Sequence, residues 1–350
     1  MKRIHQFVEN LVPGDAISND CIQINTYLKK LGYDSKIYVR TSHVRNKAVL
    51  DYKERIPKED GIIFHHSTNS PLVNYVSKLP NKKMLIYHNI TPSAFFKEYN
   101  YRLFKIFKEA ERQNYLLENT KFDALVGDSQ YNLSLIKEFT KGKTEDVFPP
   151  FLSIQFSQES EPVNVKADHA FTIIFVGRFA PNKRQNDIIR VFEYYSKFIN
   201  PEAKLLLLGK YTYEDSYYTE IAKYIEDRNI KNVTIQAHLT SEELADKYKE
   251  ADVFLSMSEH EGFCIPVLES IHFNVPVLAY KIPALEELLD QTYLFDHKNY
   301  KKIAEKLYQI QINKELREKM IMDQKVILDK FQETKIKSKF KSFINTVFNV

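Results

Sequence analysis

The sequence predicts an α/β protein of two doubly wound parallel-sheet domains, on three observations. Short, near-continuous apolar runs recur at residues 36–39, 62–64, 84–87 and 123–127, and again at 171–176, 205–208, 233–237, 252–256 and 276–280. Runs of this length, apolar on both faces, suit strands buried between helices. The stretches between them, such as 16–31, 185–198, 217–227 and 242–249, have helical spacing. Alternation of strand and helix is the pattern of a parallel sheet covered on both faces. The series is interrupted once, by a polar stretch over 153–169 that follows Phe148-Pro149-Pro150-Phe151.

Each part of the chain then takes a place. Residues 1–150 form an N-terminal Rossmann-like domain, 151–170 a linker, and 171–330 a second Rossmann-like domain. Gly32 follows the first helix where a C-terminal cap favours glycine. The tail, 331–350, reads as a basic amphipathic helix, with Phe331, Ile336, Phe340, Phe343 and Val347 apolar and four lysines interleaved. No repeat of 20–50 residues is present beyond two halves of one class.

Composition narrows the function. With 43% apolar residues, 24 Phe and 22 Tyr, the 350-residue chain has material for a buried core and is not disordered. Only 8 glycines exclude collagen-like and Gly/Ser-linker classes. A net charge of +4 is mild, which argues against a dedicated nucleic-acid binder. Cys21 and Cys264 stand far apart, outside any zinc or disulfide spacing, and fit a reducing compartment. Met1–Phe7 lacks the apolar run of a signal peptide, and nowhere do 18 apolar residues run together. The expected address is the cytoplasm, with the inner face of a membrane as the peripheral alternative.

Several motifs are decoys. Gly142-Lys143-Thr144 lacks the earlier glycine of a phosphate loop, since Lys137 stands there. No G-x-G occurs, so the dinucleotide fingerprint is absent. His65 and His66, adjacent on a strand, point to opposite faces and cannot share one metal. No Asp-x-Asp is present to hold a divalent cation against a diphosphate. Protein-borne cations are expected to do that work, with no metal and no cofactor.

Two stretches carry chemistry. In Ser258-Glu-His-Glu261-Gly262-Phe263-Cys264-Ile265-Pro266-Val-Leu-Glu269 a strand ends, a loop turns at Gly262, and a helix starts near Ile265. Amides of that first helical turn suit hydroxyls or phosphate. On spacing alone, Glu261 would be a solvated loop acid and Glu269 a surface helix residue. In Val176-Gly177-Arg178-Phe179-Ala180-Pro181-Asn182-Lys183, Arg178 and Lys183 follow a strand at the carboxyl end of the sheet, where such sheets bind ligands. A guanidinium and an ammonium there could clamp a diphosphate and stabilise it as it leaves.

Together, S-x-x-E-G-F-x-x-P-x-x-E followed by Asn274-Val-Pro-Val, and V-G-R-F-x-P-x-K upstream, resemble the signature of the retaining nucleotide-sugar glycosyltransferases called family 4 or group 1. Val233-Thr-Ile-Gln-Ala-His238-Leu239-Thr-Ser-Glu resembles that family's strand–loop–helix segment, with Ala237 where glycine is usual. The resemblance is strong over 171–295. In the first half it is weaker: Val12-Pro13-Gly14-Asp15 stands for a glycine-rich loop with one glycine instead of two, and His88 ends a strand where the family carries a histidine.

The resemblance implies a GT-B fold of two domains facing across a cleft, with the tail helix crossing back to the first. It implies that Arg178 and Lys183 hold the diphosphate and Glu269 the ribose. Glu261, with the amides of Gly262, Phe263, Cys264 and Ile265, would bind the donor sugar and distal phosphate. His88 would sit beside the transferred sugar; a strand-end histidine satisfied within the protein reads equally well. Gly14, Asp15, Gly177, Gly209, His238 and Leu239 would line the donor site, Gly209 by topology alone. Cys264 reads as a packing residue.

The implied reaction is metal-independent transfer of a sugar from a nucleoside diphosphate to an acceptor hydroxyl, with retention, in bacterial surface polysaccharide, lipopolysaccharide or glycolipid synthesis. The partners would be a nucleotide-sugar donor and an oligosaccharide or lipid-linked acceptor. Residues 94–117, aromatic and basic, make an anionic membrane surface a further candidate partner, although an amphipathic core helix accounts for them too. The alternatives are a sugar-nucleotide 2-epimerase of the same fold, against which the E-x7-E motif argues, and a catalytically idle partner subunit, against which the intact Arg178, Lys183, Glu261 and Glu269 argue.

Overall fold

The computed structural model describes residues 2–44, 47–151, 169–211 and 215–348. Within these the chain divides into two compact units: residues 2–94, 102–151 and 331–348, and residues 95–101 and 169–330. The expected linker at 151–170 lies almost wholly outside the described residues.

The first unit opens with β1 (Ile4–Leu11), α1 (Ala16–Lys30), β2 (Ile37–Ser42), β3 (Val49–Asp51), β4 (Gly61–His66) and α2 (Leu72–Lys78). It continues with β5 (Lys83–Tyr87), α3 (Tyr101–Leu116), β6 (Phe122–Gly127), α4 (Gln130–Lys137) and β7 (Gly142–Val147). The second unit begins with β8 (Thr172–Val176), α5 (Gln185–Phe198), β9 (Lys204–Leu208), α6 (Ser216–Asp227), β10 (Val233–Gln236) and α7 (Ser241–Glu250). Then come β11 (Val253–Ser256), α8 (Ile265–His272), β12 (Val277–Tyr280), α9 (Pro283–Glu286), β13 (Leu294–Phe295), α10 (Tyr300–Ile312) and α11 (Lys314–Lys325). The last helix, α12 (Glu333–Phe348), belongs to the first unit.

Both sheets are parallel. Their strand orders are β3-β2-β1-β4-β5-β6-β7 and β10-β9-β8-β11-β12-β13. Each sheet therefore reverses direction between its first and fourth strands, β1/β4 and β8/β11. Crevices at the carboxyl ends of such a pair are the usual ligand sites of doubly wound sheets.

The central strand β1 is absent from the apolar runs, because His5, Gln6 and Glu9 interrupt it. All three are nevertheless buried. His5 meets Asp60 at 3.1 Å, Gln6 donates to the Cys21 carbonyl at 3.0 Å, and Glu9 pairs with Arg40 and accepts from Ser70. Satisfied polar groups can occupy a core that unsatisfied ones cannot.

The first unit's core includes α12. Its Ile336, Phe340, Phe343, Ile344, Val347 and Phe348 pack with Ile4, Ile24 and Leu28. α1 ends as its sequence directs: Gly32 has φ 88°, its amide reaches Lys29 O, and the Tyr33 amide reaches Leu28 O, a complete Schellman cap.

The expected continuous helix over 94–117 is corrected. Ser93–Phe96 is a short 3₁₀ turn and α3 starts only at Tyr101, after Asn100, a residue that favours helix starts. Phe96 is buried, not on an exposed aromatic face. Residues 95–101, expected in the first domain, group instead with the second unit, where Tyr99 meets the Tyr217 ring edge-on at 5.1 Å. Among the described residues no helix is long and apolar enough to cross a membrane.

Candidate functional site

In the second unit the loops after β8 and β11 leave the sheet side by side. Gly209, after β9, has φ 153°, and a Cβ there would sit 2.1 Å from the Gly177 carbonyl oxygen, so only glycine lets these strand ends approach. Past Gly177, Arg178 is exposed and makes no ion pair among the described residues. Phe179 turns inward against Tyr211 and Tyr218, with ring centroids 5.5 and 5.7 Å away. Pro181–Lys183 then form one 3₁₀ turn, closed by Arg184 in the left-handed region at φ 55°.

That turn is stitched to the loop after β11. Asn182 donates through Nδ2 to the His260 carbonyl at 3.1 Å, and the Glu259 amide donates to the Asn182 carbonyl at 2.8 Å. One residue further along each loop, the Lys183 ammonium pairs with the buried Glu261 carboxylate. His260, between these contacts, is buried. Its imidazole is pulled down to about 4, chiefly by loss of water, with Glu261 opposing and Lys183 adding.

α8 starts at once after this loop. Cys264 holds φ 72° at its N-cap and Pro266, which has no amide hydrogen, lies in its first turn, while the Val267 amide donates to the Cys264 carbonyl at 3.1 Å. The Cys264 thiol is buried, and burial with Glu261 beside it pushes it far up, which suits packing and not nucleophilic attack. Glu269, one turn into α8, accepts from the Tyr248 hydroxyl at 2.8 Å. Burial raises its carboxyl, and the Tyr248 bond partly offsets that.

After β10, His238 is exposed at φ 57°, and Leu239 leads into a reciprocal cap of α7 between Thr240 and Glu243. Three non-glycine residues with positive φ, Arg184, His238 and Cys264, thus follow strand ends of one sheet. Such backbone costs of order 1–3 kcal/mol each and gathers where function over-determines it.

The expected residues of this unit, Gly177, Arg178, Lys183, Gly209, His238, Leu239, Glu261, Gly262, Phe263, Cys264, Ile265 and Glu269, all lie at or beyond the carboxyl ends of its strands. Lys183 and Glu261 are brought into contact; Glu269 faces Tyr248 instead of either.

In the first unit, Gly14 and Asp15 precede α1. The Asp15 carboxylate caps that helix, accepting from the Ser18 amide at 2.9 Å. It therefore puts acceptors, suited to hydroxyls, at the helix start. His88 follows β5 with its side chain 1% exposed, and both ring nitrogens are engaged within the unit. Nδ1 lies 2.9 Å from Asp128 Oδ2, and Nε2 lies 2.8 Å from His65 Nδ1.

The protons of this chain can be assigned. Gln6 gives its amide nitrogen to Cys21, so its oxygen faces His65 Nε2, which must donate. His65 Nδ1 is then the acceptor and His88 Nε2 the donor, while His88 Nδ1 donates to the carboxylate. With burial pulling His65 down and so keeping it neutral, this pattern places protons on both His88 nitrogens, the form its carboxylate neighbours favour. Burial pulls His88 down as well, but Asp128 first, then Asp20 and Asp15, outweigh that and raise it.

The two rings are parallel to 3° with centroids 5.1 Å apart. With the 2.8 Å nitrogen separation this is an in-plane, head-on hydrogen bond. Asp20 completes the group, its ligand atom within 4.8 Å of those of His65 and His88. The two facing nitrogens, 2.8 Å apart, already share a proton, so an ion held by both rings would displace that hydrogen bond. Burial pushes the Asp20 carboxyl up to about 7, against the pull of His88.

Sequence reasoning missed this group, in which His65 and Asp128 bond His88, Gln6 bonds His65, and Asp20 lies beside both rings. No local motif joins them; β1, α1, β4 and the end of β6 bring them together.

Comparison with known proteins follows the same division. Residues 156–325 match the family model of glycosyl transferases group 1. Over 144 residues the chain is 30% identical to the O-antigen biosynthesis glycosyltransferase WclY of Escherichia coli, covering 38% of this chain and 39% of that protein. Over 178 residues it is 28% identical to trehalose synthase of Thermococcus litoralis, covering 49% of this chain and 43% of that one. The matched stretches thus span less than half of these curated relatives.

Among solved structures, Anabaena Alr3699/HepE in complex with UDP-glucose superposes with a TM-score of 0.74 at 13% identity, covering 99% of this chain and 100% of that one. WaaG, a glycosyltransferase involved in lipopolysaccharide biosynthesis, gives 0.73 at 12% identity, covering 97% and 99%. At such identities the likeness shows the fold, two parallel-sheet α/β domains of the GT-B class.

Proposed function

We propose that this chain, whose residues 156–325 match the family model of glycosyl transferases group 1, moves a sugar from a nucleoside diphosphate to an acceptor hydroxyl. The observation that carries the reading is the pairing of two loops at the β8/β11 reversal. One bears Arg178 and Lys183; the other bears Glu261 and the start of α8.

An exposed guanidinium and a half-buried ammonium suit the two phosphates, and their charge is worth most where negative charge develops on the leaving group. Lys183 is neutralised by Glu261 in this structure. A diphosphate competing for Lys183 would free Glu261 to accept from sugar hydroxyls. The bond from the anomeric carbon to the diphosphate oxygen breaks and one to the acceptor oxygen forms. The acceptor's proton leaves with the phosphate or to water. Retention at the anomeric carbon, independence of metal, Glu269 on the ribose, and the contributions of His88, Gly14 and Asp15 belong to this proposal through the family resemblance. So does surface polysaccharide or glycolipid synthesis, which the printed roles of WclY and WaaG support.

The test is nucleotide release from UDP-, GDP- and ADP-sugars by the purified chain, with and without EDTA, and the anomeric configuration of the product by NMR. The reading expects one donor to be consumed with EDTA present and with retention. Release from none of them overturns it. Co-sedimentation with anionic vesicles tests the membrane partner, for which α3 offers exposed Tyr101 and Tyr115; no binding removes that partner.

A further inference from the structure

Next to the Lys183–Glu261 pair in sequence lies a second charge cluster, to which the motifs assign no role. Asp187, in the first turn of α5, has a side chain with no exposed surface. It accepts from Arg184 Nε at 2.8 Å, from Lys298 Nζ at 2.7 Å and from the Tyr300 hydroxyl at 2.8 Å. Lys298 reaches on to Glu259 Oε1 at 2.5 Å, and Arg184 lies 3.5 Å from the same oxygen. The Lys298 ammonium also stands 4.8 Å over the Tyr280 ring. Two cations and two carboxylates therefore close a neutral ring joining the loops after β8, β11 and β13.

The ring sits one step from the chemistry. Glu259 is two residues before Glu261, and Arg184 directly follows Lys183. Arg184 holds a left-handed backbone that its link to Asp187 helps to keep. Lys298 is the ring member farthest from the site in sequence, coming from beyond β13, and its side chain is only 17% exposed. Asp187 is wholly buried and Lys298 largely so, and removing one partner from such a pair leaves an uncompensated buried charge, whereas surface pairs are worth little.

We propose that Lys298 is a positioning residue for the diphosphate clamp. By bridging Asp187 and Glu259 it keeps the 257–264 loop in register with the turn carrying Lys183, and it touches no ligand itself. This rests on the transferase reading above, and the experiment separates the two.

Binding of UDP, GDP and ADP to the full chain is measured by titration calorimetry, and amide hydrogen exchange is followed over 257–264. Lys298→Met is expected to weaken the nucleotide that binds by about tenfold and to speed exchange in that loop. Lys298→Arg restores most of both. Glu259→Gln has the same effect, and the double variant is no worse than the poorer single one, as coupled residues require. Affinity within about twofold of wild type with unchanged exchange, or losses that multiply in the double variant, overturns the proposal. If Lys298→Met does not fold, Glu259→Gln and Lys298→Arg carry the same readings. Failure of the wild type to bind any of the three nucleotides defeats the transferase reading instead, and exchange over 257–264 still decides the role of Lys298.

Discussion

The two units reverse strand order at equivalent points but furnish them differently. At β8/β11 the side chains stand at the surface or just beneath it, and they come from two short contiguous stretches. At β1/β4 the polar groups are buried and linked in a chain, Gln6–His65–His88–Asp128, drawn from four separate segments. In the first arrangement Arg178 is exposed and Lys183 partly so, with Glu261 buried beside Lys183. In the second, both nitrogens of His88 are engaged within the unit. The same topology thus carries contiguous loop side chains in one unit and a buried polar chain in the other.

That contrast can be broken in graded ways. The largest effect is expected in the first unit's core: Phe340→Ala removes a fully buried ring from α12 and should cost about 3–5 kcal/mol of stability. Denaturant unfolding with a probe in the first unit measures it. In the second unit Arg178→Ala should lower kcat/KM for the donor about 10²-fold, or nearly 3 kcal/mol, with Tm hardly changed because the side chain is exposed.

A pH series gives the next. The fold holds His260 neutral, with its pKa depressed to about 4 mainly by burial. As pH falls below the unfolded value near 6.5, the unfolded chain takes a proton that the folded one refuses. Stability should therefore drop from pH 6.5 to 4, by at most roughly 3 kcal/mol, and His260→Gln should flatten this component.

The smallest effect has the opposite sign. His88 is raised on balance, Asp128 overcoming burial, so its contribution is complete below the unfolded pKa and fades as pH climbs through the raised value. Asp128→Asn should cost about 1.5 kcal/mol near pH 6 and less at pH 9, read as a Tm gap that narrows with rising pH.

The contrast also explains what could be read in advance. In the second unit β8 to β12 and α5 to α8 were legible because buried parallel strands are apolar throughout, whereas the two-residue β13 and helices α9 to α11 were not placed. β1 was not, since His5, Gln6 and Glu9 look like surface residues until Asp60, His65, Cys21, Arg40 and Ser70 are folded against them. The start of α3 was misplaced because its aromatic spacing continues through a turn that Phe96 buries. Lys298 left no trace, because its partners Asp187 and Glu259 are remote in sequence and charged loop residues are usually solvated.

The central claim, that the paired loops at β8/β11 are the donor site, is tested most directly by donor turnover in Glu261→Ala against wild type at matched folding. The account predicts release of nucleotide from one sugar donor by the wild type and a loss of at least about 10²-fold in the variant. Equal turnover by the two proteins, or turnover of no donor by either, would contradict it.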